Sequence, residues 1–313
     1  MLNSLTFNVS VAASIVLTTK NRVDELRSAL KSVFAQTVRT EAIVMDDGST
    51  DGTADMVLKE FPDARLERSQ SSYGYIRQRN RAAGLASSPI IFSLDDDAVF
   101  SSPDVVEQIL LQFSLDRIGA VAIPYVDVNR NQIVHQTAPD GKNVWVTDRF
   151  IGTAHALRRE LFLDLGGYRE SLVHQGEEGD FCIRMLEAGH VVRLGSSDPI
   201  HHFESPKREV SRMDFYGRRN DILFAWHNVP RPYFLVHLLG TTLNGLGSAF
   251  RAGRYGKMLK GIAQGYADCF DQWTNRQPVS AEVYNLHRRL KKRGPQLLSD
   301  IEQFLPPLGA DRS

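Results

Sequence analysis

Short apolar runs alternate with amphipathic segments along the first third of the chain. Runs rich in Val, Ile, Leu and Ala predict buried strands, and the segments between them have the apolar spacing of helices. The predicted strands are residues 9–17, 42–45, 90–94 and, more weakly, 65–68. The predicted helices are residues 21–34, 53–61, 74–86 and 103–113. Alternation of this kind predicts a parallel, doubly wound α/β sheet.

The pattern changes after residue 118. Residues 120–128 and 133–136 flank a polar tetrad and predict a hairpin. An acidic loop at residues 174–180 then leads into an amphipathic helix, and the chain is helical in pattern from residue 213 onward. The predicted domains are a catalytic domain over residues 1–205, with halves of about 1–100 and 101–205, and a helical C-terminal region over 206–313.

Carboxylates follow two of the predicted strands at the point where each strand ends. Asp46 and Asp47 follow the predicted strand at residues 42–45. Asp95, Asp96 and Asp97 follow the predicted strand at residues 90–94. The carboxyl ends of parallel strands form the edge where open α/β sheets bind ligands, so we expect both groups there. Three adjacent acids also occur as a plain solvated turn. A divalent cation would relieve their mutual repulsion, and Mg²⁺ prefers carboxylate oxygen.

The composition argues against several classes of protein. Lys+Arg and Asp+Glu both total 37, so no global charge favours a nucleic-acid partner. Hydrophobic residues make up 42% and charged residues 24%, as in soluble globular proteins. Two cysteines cannot form a disulfide framework, which favours a reducing compartment. The sequence has no convincing signal peptide or membrane span, and it lacks the glycine-rich phosphate motifs.

Four stretches, in order along the chain, resemble family-2 inverting glycosyltransferases of the GT-A fold. They are residues 14–22, 44–53, 79–97 and 166–180. Each motif alone is weak, whereas the ordered set between about residues 10 and 202 is specific. The resemblance implies an α/β, GT-A (Rossmann-like) doubly wound, mostly parallel sheet. It also implies a small antiparallel acceptor-side region and a helical C-terminal extension.

The same resemblance implies transfer of a sugar, with inversion, from a nucleotide-diphosphate donor to an acceptor hydroxyl, with a UDP-sugar favoured. In the family a Mg²⁺ or Mn²⁺ ion stabilises the leaving diphosphate. The implied donor-side roles are nucleobase binding for Thr18 and Asp47, diphosphate binding for Arg79, ribose binding for Asp95 with Asp96 nearby, and metal binding for Asp97 and His201. Asp47 could instead shape its loop, Arg79 could be a surface arginine, and His202 is the less preferred histidine.

On the acceptor side, the reaction needs a base that takes the proton of the attacking hydroxyl. The family usually supplies an Asp from a Glu-Asp pair, and Glu178 occupies that position here. Glu177 and Asp180 are its acceptor-side neighbours. Asp180 could instead cap the helix that follows.

No charged residue lies between Arg231 and Arg251, and the leucines there predict an amphipathic helix. It could pack on the catalytic domain or make a shallow peripheral membrane contact, which suits a glycan or lipid-linked acceptor. The expected location is the cytoplasm at the inner face of the membrane, in bacterial surface-polysaccharide or glycolipid synthesis. Two alternatives stay open: a sugar-nucleotide hydrolase or nucleotidyltransferase, and a non-catalytic nucleotide-sugar-binding membrane assembly protein.

Overall fold

A nine-stranded sheet forms the centre of the molecule, and a second sheet has four strands. The structure, a computed structural model, describes residues 11–204 and 210–309. The strands, numbered along the chain, are β1 (Ala13–Thr19), β2 (Thr40–Asp46), β3 (Arg65–Arg68), β4 (Ile90–Asp95), β5 (Ala98–Val99), β6 (Ile118–Ala122), β7 (Tyr125–Asp127), β8 (Val134–His135), β9 (Trp145–Thr147), β10 (Ala154–Arg158), β11 (Val191–Leu194), β12 (Ile200–His202) and β13 (Gln296–Leu297).

Helices follow most strands of the first half and dominate the chain after β12. They are α1 (Val23–Phe34), α2 (Thr53–Glu60), α3 (Tyr75–Leu85), α4 (Val105–Leu110), α5 (Arg159–Asp164), α6 (Glu177–Glu187), α7 (Val210–Asn228), α8 (Arg231–Ala252), α9 (Tyr255–Asp271), α10 (Ala281–Arg293) and α11 (Leu298–Ile301).

The order of the strands confirms the predicted doubly wound α/β fold. In the large sheet the order is β13-β9-β11-β6-β10-β4-β1-β2-β3. Strands β4, β1, β2 and β3 pair in parallel, whereas β10 runs antiparallel to both β4 and β6. The sheet is therefore parallel in its first half and mixed beyond β4.

Side chains of β1 point alternately into two apolar cores, one on each face of the sheet. Ile15 and Leu17 pack in the core that includes Leu26 of α1. Val16 packs in the opposite core with Ile76 of α3. Both faces are covered by helices, which explains why these strands read as continuous apolar runs rather than as alternating patterns.

Pro124 divides the segment that the sequence predicts as one strand at residues 120–128. Strand β6 ends before Pro124 in the large sheet, and β7 begins after it in the small sheet. Proline has no N–H for a sheet ladder, so a central strand cannot continue through it. The predicted hairpin is present as the antiparallel pair of β7 and β8.

Two other boundaries differ from the sequence pattern. The described part of the first strand begins at Ala13 and extends to Thr19, two residues beyond the predicted end. Expectations about residues 1–10, including the lack of a signal peptide, lie outside the described residues. Helix α6 begins at Glu177, so the acidic motif forms its first turn instead of a preceding loop.

The C-terminal residues share packing with the α/β part of the chain. Strand β13 pairs with β9, and α10 contributes Val283 to a core that includes Val146 and Ile183. The division at residues 205 and 206 remains a prediction. Among the described helices, none has both the length and the apolar character needed to cross a bilayer.

Helices α7 and α9 approach closely because α9 carries glycines at the crossing. A Cβ at Gly261 would lie 2.2 Å from the carbonyl oxygen of Phe215. We expect Gly261→Ala to lower the free energy of unfolding by about 1–3 kcal/mol, since two backbones must move apart. Chemical denaturation measures this change.

Gly240 is the matched control, because it lies within α8 and a Cβ there would meet nothing within 4 Å. Gly240→Ala should be neutral or should stabilise the protein by up to about 1 kcal/mol. Equal effects of the two substitutions would contradict the close crossing of α7 and α9.

Candidate active site

The register of the parallel strands brings the two acidic loops to one edge of the sheet. Thr18 of β1 lies opposite Asp95 of β4, and Thr19 lies opposite Asp46 of β2. Thr18 itself is half-buried at the end of its strand. The strand pattern predicted this shared edge, and the pairing of the strands agrees with it.

Two arginines contact the three adjacent carboxylates that follow β4. Arg79 donates a 2.7 Å hydrogen bond to Asp95. Nη1 of Arg22 lies 2.5 Å from an oxygen of Asp97 and 3.3 Å from an oxygen of Asp96. The side chains of Asp96 and Asp97 are only 11% and 10% exposed. The acidic run is therefore not the plain solvated turn that was the alternative interpretation.

His202, not His201, faces this cluster, which corrects the preference for His201 as a metal ligand. Side chains alternate along β12, so Ile200 and His202 point inward while His201 is exposed. Nε2 of His202 lies 3.3 Å from Asp97. Nδ1 of the same ring contacts Asp127, which lies opposite His202 in β7.

The cluster has a donor set that fits a divalent cation. Asp95, Asp97 and His202 each offer a ligand atom, and these atoms lie within 4.8 Å of one another. Cations such as Mg²⁺ and Mn²⁺ are coordinated by carboxylate oxygen, and an imidazole nitrogen is a common additional ligand of transition metals. Asp127 holds the second nitrogen of His202 and so fixes the orientation of the ring, as carboxylates commonly do behind metal-binding histidines.

The pKa values of these groups reflect burial and their partners. Burial raises the pKa of Asp95 to about 6 against the opposing charge of Arg79. Burial likewise raises the pKa of Asp96 to about 7 against the charge of Arg22. For Asp97, burial is outweighed by His202 and Arg22, which hold its pKa below the ordinary value. Burial lowers the pKa of His202, but Asp97 and Asp127 raise it above the ordinary value.

Arg79 connects the carboxylates at the end of β4 to the first turn of α6. It is 7% exposed, so it is not the surface arginine of the alternative interpretation. Its guanidinium donates to the carbonyl oxygen of Gly152, lies 3.6 Å from Glu177, and stacks over the ring of Tyr75. One buried cation therefore lies between Asp95 of β4 and the first turn of α6.

Glu178 lies beside this arginine in a space that a glycine creates. A Cβ at Gly152 would lie 2.5 Å from Oε1 of Glu178 and 3.3 Å from Nη1 of Arg79. Any larger residue at position 152 would displace the carboxylate. Glu178 is half-buried, whereas its neighbour Glu177 is fully buried. Of the two, Glu178 is therefore the carboxylate that a ligand can reach.

Asp47, for which the resemblance implies a nucleobase contact, is held by several protein donors. Its carboxylate accepts hydrogen bonds from Ser72 Oγ, the amides of Tyr73 and Gly74, and Nε2 of Gln78, at 2.5–3.0 Å. Burial raises its pKa, but these four bonds outweigh burial and lower it. Asp47 therefore fixes the loop before α3, as in the alternative interpretation, and its nucleobase contact stays a prediction.

Asp180 is neither an acceptor contact nor a helix cap. It is 1% exposed and accepts hydrogen bonds from Arg169, Arg184 and Asn228. These donors come from the loop before α6, from α6 itself and from α7. The acceptor-side role expected for Asp180 is corrected, because a carboxylate enclosed by three protein donors fixes the helices and cannot meet a ligand.

Several residues of the site were not assigned from the sequence. Arg22 was part of a quoted motif, but nothing in the motif indicates that it contacts Asp97. His202 could have been chosen from strand alternation, because Ile200 marks the inward face. Asp127 could not, since its partner is 75 residues away.

Two cavities in the described part of the chain are remote from these groups. One measures about 700 Å³ and lies between α6, α10 and the C-terminal turn, with Glu187, Leu286 and Phe304 in its wall. A second cavity of about 490 Å³ lies near the loop after β3 and includes Arg68 and Arg81. Neither contains the acids and the histidine of the cluster, so the site is recognised by its chemistry rather than by an enclosed volume.

Residues 14–168 match the family model described as "Glycosyl transferase family 2". The chain contains a family-2 glycosyltransferase domain. The matched segment includes both acidic loops, Arg22 and Arg79. The family resemblance inferred from the four motifs is thereby confirmed.

Two curated relatives match this chain over part of their length. The O-antigen chain rhamnosyltransferase WbaN of Salmonella anatum is 26% identical over 55% of this chain and 60% of its own. The succinoglycan biosynthesis protein ExoU of Rhizobium meliloti (strain 1021) is 30% identical over 56% of this chain and 57% of its own. The chain thus spans about six-tenths of the length of these relatives.

Solved structures extend the likeness to nearly the whole chain. S. aureus TarS 1-349 in complex with UDP-GlcNAc has a TM-score of 0.63 and 15% identity, covering 94% of this chain and 90% of its own. Mannosyltransferase PcManGT from Pyrobaculum calidifontis, in complex with GDP-Man and Mn²⁺, has a TM-score of 0.53 and 18% identity. It covers 91% of this chain and 83% of its own. At such identities the likeness confirms the GT-A fold.

The buried carboxyl of Glu177 makes stability depend on pH. Burial and the charge of Glu178 raise its pKa from 4.5 to about 8, against the opposing charge of Arg79. The folded state therefore retains a proton that the unfolded state releases, and stability falls as pH rises from about 4.5 to about 8. Glu177→Gln removes this loss, so its stability relative to the parent should increase across that window by up to about 1 kcal/mol per pH unit.

Urea denaturation at pH 5, 6, 7 and 8 measures the difference between the two proteins. Glu160→Gln is the control, because Glu160 is exposed on α5 and its effect should not change with pH. A constant difference between Glu177→Gln and the parent would show that Glu177 is ionised in the fold.

Proposed function

We propose that the protein is a metal-dependent inverting glycosyltransferase that moves a sugar from a nucleotide diphosphate to an acceptor hydroxyl. The observation that carries this proposal is the arrangement around Arg79. Asp95 of the cation-type cluster of Asp95, Asp97 and His202 contacts Nη2 of the guanidinium, and the reachable carboxylate of Glu178 lies near Nη1. A displacement at a sugar carbon needs charge stabilisation on one side and a base on the other.

On the donor side, Asp95, Asp97 and His202 would hold Mg²⁺ or Mn²⁺. Such an ion would stabilise the negative charge of the departing diphosphate. Arg79 adds a permanent positive charge that burial strengthens, although it is shared with Asp95 and Glu177. Thr18 lies at the end of β1 near these groups and is open to a ligand, which supports a nucleotide contact.

On the acceptor side, Glu178 would accept the proton of the acceptor hydroxyl as its oxygen bonds to the sugar carbon. The bond from that carbon to the diphosphate breaks in the same step, and the configuration inverts. Glu177 is buried beside it, and its raised pKa keeps that carboxyl protonated near neutral pH. A protonated Glu177 adds no negative charge beside Glu178, which is the carboxylate that a ligand can reach and the one we assign as the base.

The relatives support a place in bacterial surface-polysaccharide synthesis, because their names refer to O-antigen and succinoglycan. The neighbour with bound UDP-GlcNAc supports a UDP-sugar as the donor. The neighbour with bound GDP-Man makes a GDP-sugar the alternative donor. A glycan or a lipid-linked sugar is the proposed acceptor.

Metal binding and proton abstraction can be tested separately. We expect a panel of UDP-, GDP- and dTDP-sugars to raise the melting temperature in the presence of Mn²⁺. Asp97→Asn should lose the stabilisation that depends on Mn²⁺. Glu178→Gln should keep donor binding but lower the rate of sugar transfer by roughly a thousandfold, because only the base is removed. Product formation with a purified acceptor measures the rate.

Asp63→Asn serves as the control, because Asp63 is exposed and distant in sequence from the site. Normal transfer by Glu178→Gln would exclude Glu178 as the base. Donor binding without transfer in every variant and in the parent would favour a nucleotide-sugar-binding protein. Release of free sugar without an acceptor would favour a hydrolase.

We also propose that the protein meets a membrane through α8. One face of this helix carries Leu235, Val236, Leu239, Leu243, Leu246 and Phe250, with exposures between 41% and 76%. Exposed cations follow at Arg251, Lys257 and Lys260. An apolar face next to cations suits the interface of a bilayer with anionic lipid, and it would place the protein at the cytoplasmic face.

Sedimentation with vesicles that contain anionic phospholipid tests this contact. The double variant Leu239→Gln with Phe250→Gln should bind roughly tenfold more weakly or worse, because two apolar side chains leave the interface. Leu111→Gln is the control, since Leu111 is 74% exposed on another face. Unchanged binding by the double variant, or a dimer that covers α8, would contradict the membrane contact.

A further inference from the structure

Arg22 lies where β1 passes into α1, and its guanidinium contacts the proposed cation cluster. Nη1 lies 2.5 Å from Oδ2 of Asp97 and 3.3 Å from Oδ1 of Asp96. Asp97 is also one of the three groups whose ligand atoms converge. Asp97 therefore pairs with an arginine and is also one of the ligands that the cation would need.

The backbone around Arg22 is held in place, whereas its side chain is partly open to solvent. The amide of Asn21 donates to Ser49, and Oδ1 of Asn21 accepts from the amide of Thr50. The amide of Val23 donates to Asp51. The Arg22 side chain is 31% exposed. The loop after β2 thus fixes the base of the side chain, and the guanidinium can change its partner by rotation of side-chain bonds alone.

A guanidinium and a divalent cation on one carboxylate repel each other. Both are cations, and the repulsion is strong because Asp96 and Asp97 are nearly buried and water screens little there. Arg79 already pairs with Asp95, and Arg22 pairs with Asp97, so both carboxylates that the cation needs already have a cationic partner. A free divalent ion must therefore compete with Arg22 for Asp97.

We propose that Arg22 is a positioning residue that makes tight binding of the divalent cation depend on the nucleotide donor. The guanidinium holds Asp97 until a diphosphate brings new negative charge to the edge of the sheet. Arg22 then pairs with phosphate oxygens, for which its planar fork is suited, and releases Asp97 to the cation. This inference rests on the proposed function of the site.

The proposal requires positive coupling between cation and nucleotide. Each ligand raises the affinity for the other by the same factor, since binding free energies are linked. Arg22 supplies part of this factor in two ways. It lowers the affinity for the cation when no nucleotide is bound, and it stabilises the complex with nucleotide. Its removal should therefore act in opposite directions on the two measurements, which loss of folding or of general packing would not do.

Binding of Mn²⁺, followed by electron paramagnetic resonance, tests the coupling with and without UDP. Relative to the parent, Arg22→Ala and Arg22→Gln should bind Mn²⁺ alone roughly tenfold more tightly, the size of effect that neighbouring charges commonly have on each other. Both variants should show a smaller gain in Mn²⁺ affinity on addition of UDP. Arg22→Lys keeps the charge and should keep weak binding of Mn²⁺ alone.

Arg27→Ala is the matched control, because Arg27 lies on α1 and pairs with Glu60 away from the cluster. Melting temperatures identify any variant that fails to fold, and the Gln and Lys variants then carry the comparison. The role of Arg22 is wrong if the neutral variants bind Mn²⁺ no more tightly than the parent does. If Asp97→Asn loses Mn²⁺ binding in the same experiment, the cation site itself still stands. If the parent binds neither Mn²⁺ nor any of UDP, GDP and dTDP, the proposed function itself fails.

Discussion

The buried guanidinium of Arg79 is the contact on which the arrangement of the site depends. A guanidinium does not lose its proton in proteins, so its charge is fixed and the carboxylates must arrange themselves around it. Arg79 joins α3, which carries it, to Asp95 of β4 and to Glu177 of α6. Desolvation offsets much of the attraction in such a pair, so its main effect is on geometry rather than on stability. It holds the end of β4 and the first turn of α6 at a fixed separation.

The small sheet contributes the remaining part of the cluster. Because the chain leaves the large sheet at Pro124, Asp127 lies next to His202 in parallel strands. The imidazole is then held between Asp127 and Asp97. A strand that continued through residue 124 would have carried Asp127 elsewhere. The orientation of His202 therefore depends on a break in secondary structure more than on any single contact.

The fold was largely predictable from the sequence, because buried parallel strands leave uninterrupted apolar runs such as residues 42–45. The shared sheet edge and the place of the triple Asp follow from that pattern. The roles of single polar residues were less accessible. Asp47 and Asp180 were assigned to ligands, yet both are enclosed by protein donors. Motif matching identifies such acids, but only the folded contacts distinguish a carboxylate that meets a ligand from one that supports the loop beside it.

The short strand β13 has a consequence for the edge of the large sheet. It pairs with β9 through Gln296 and Leu297, so the edge of the sheet beyond β9 is covered by residues that follow their partners by 150 and 152 positions in the chain. Without them, the backbone of β9 presents unpaired amide and carbonyl groups to other chains. A chain that ends before Gln296 therefore leaves β9 as the edge strand of the large sheet.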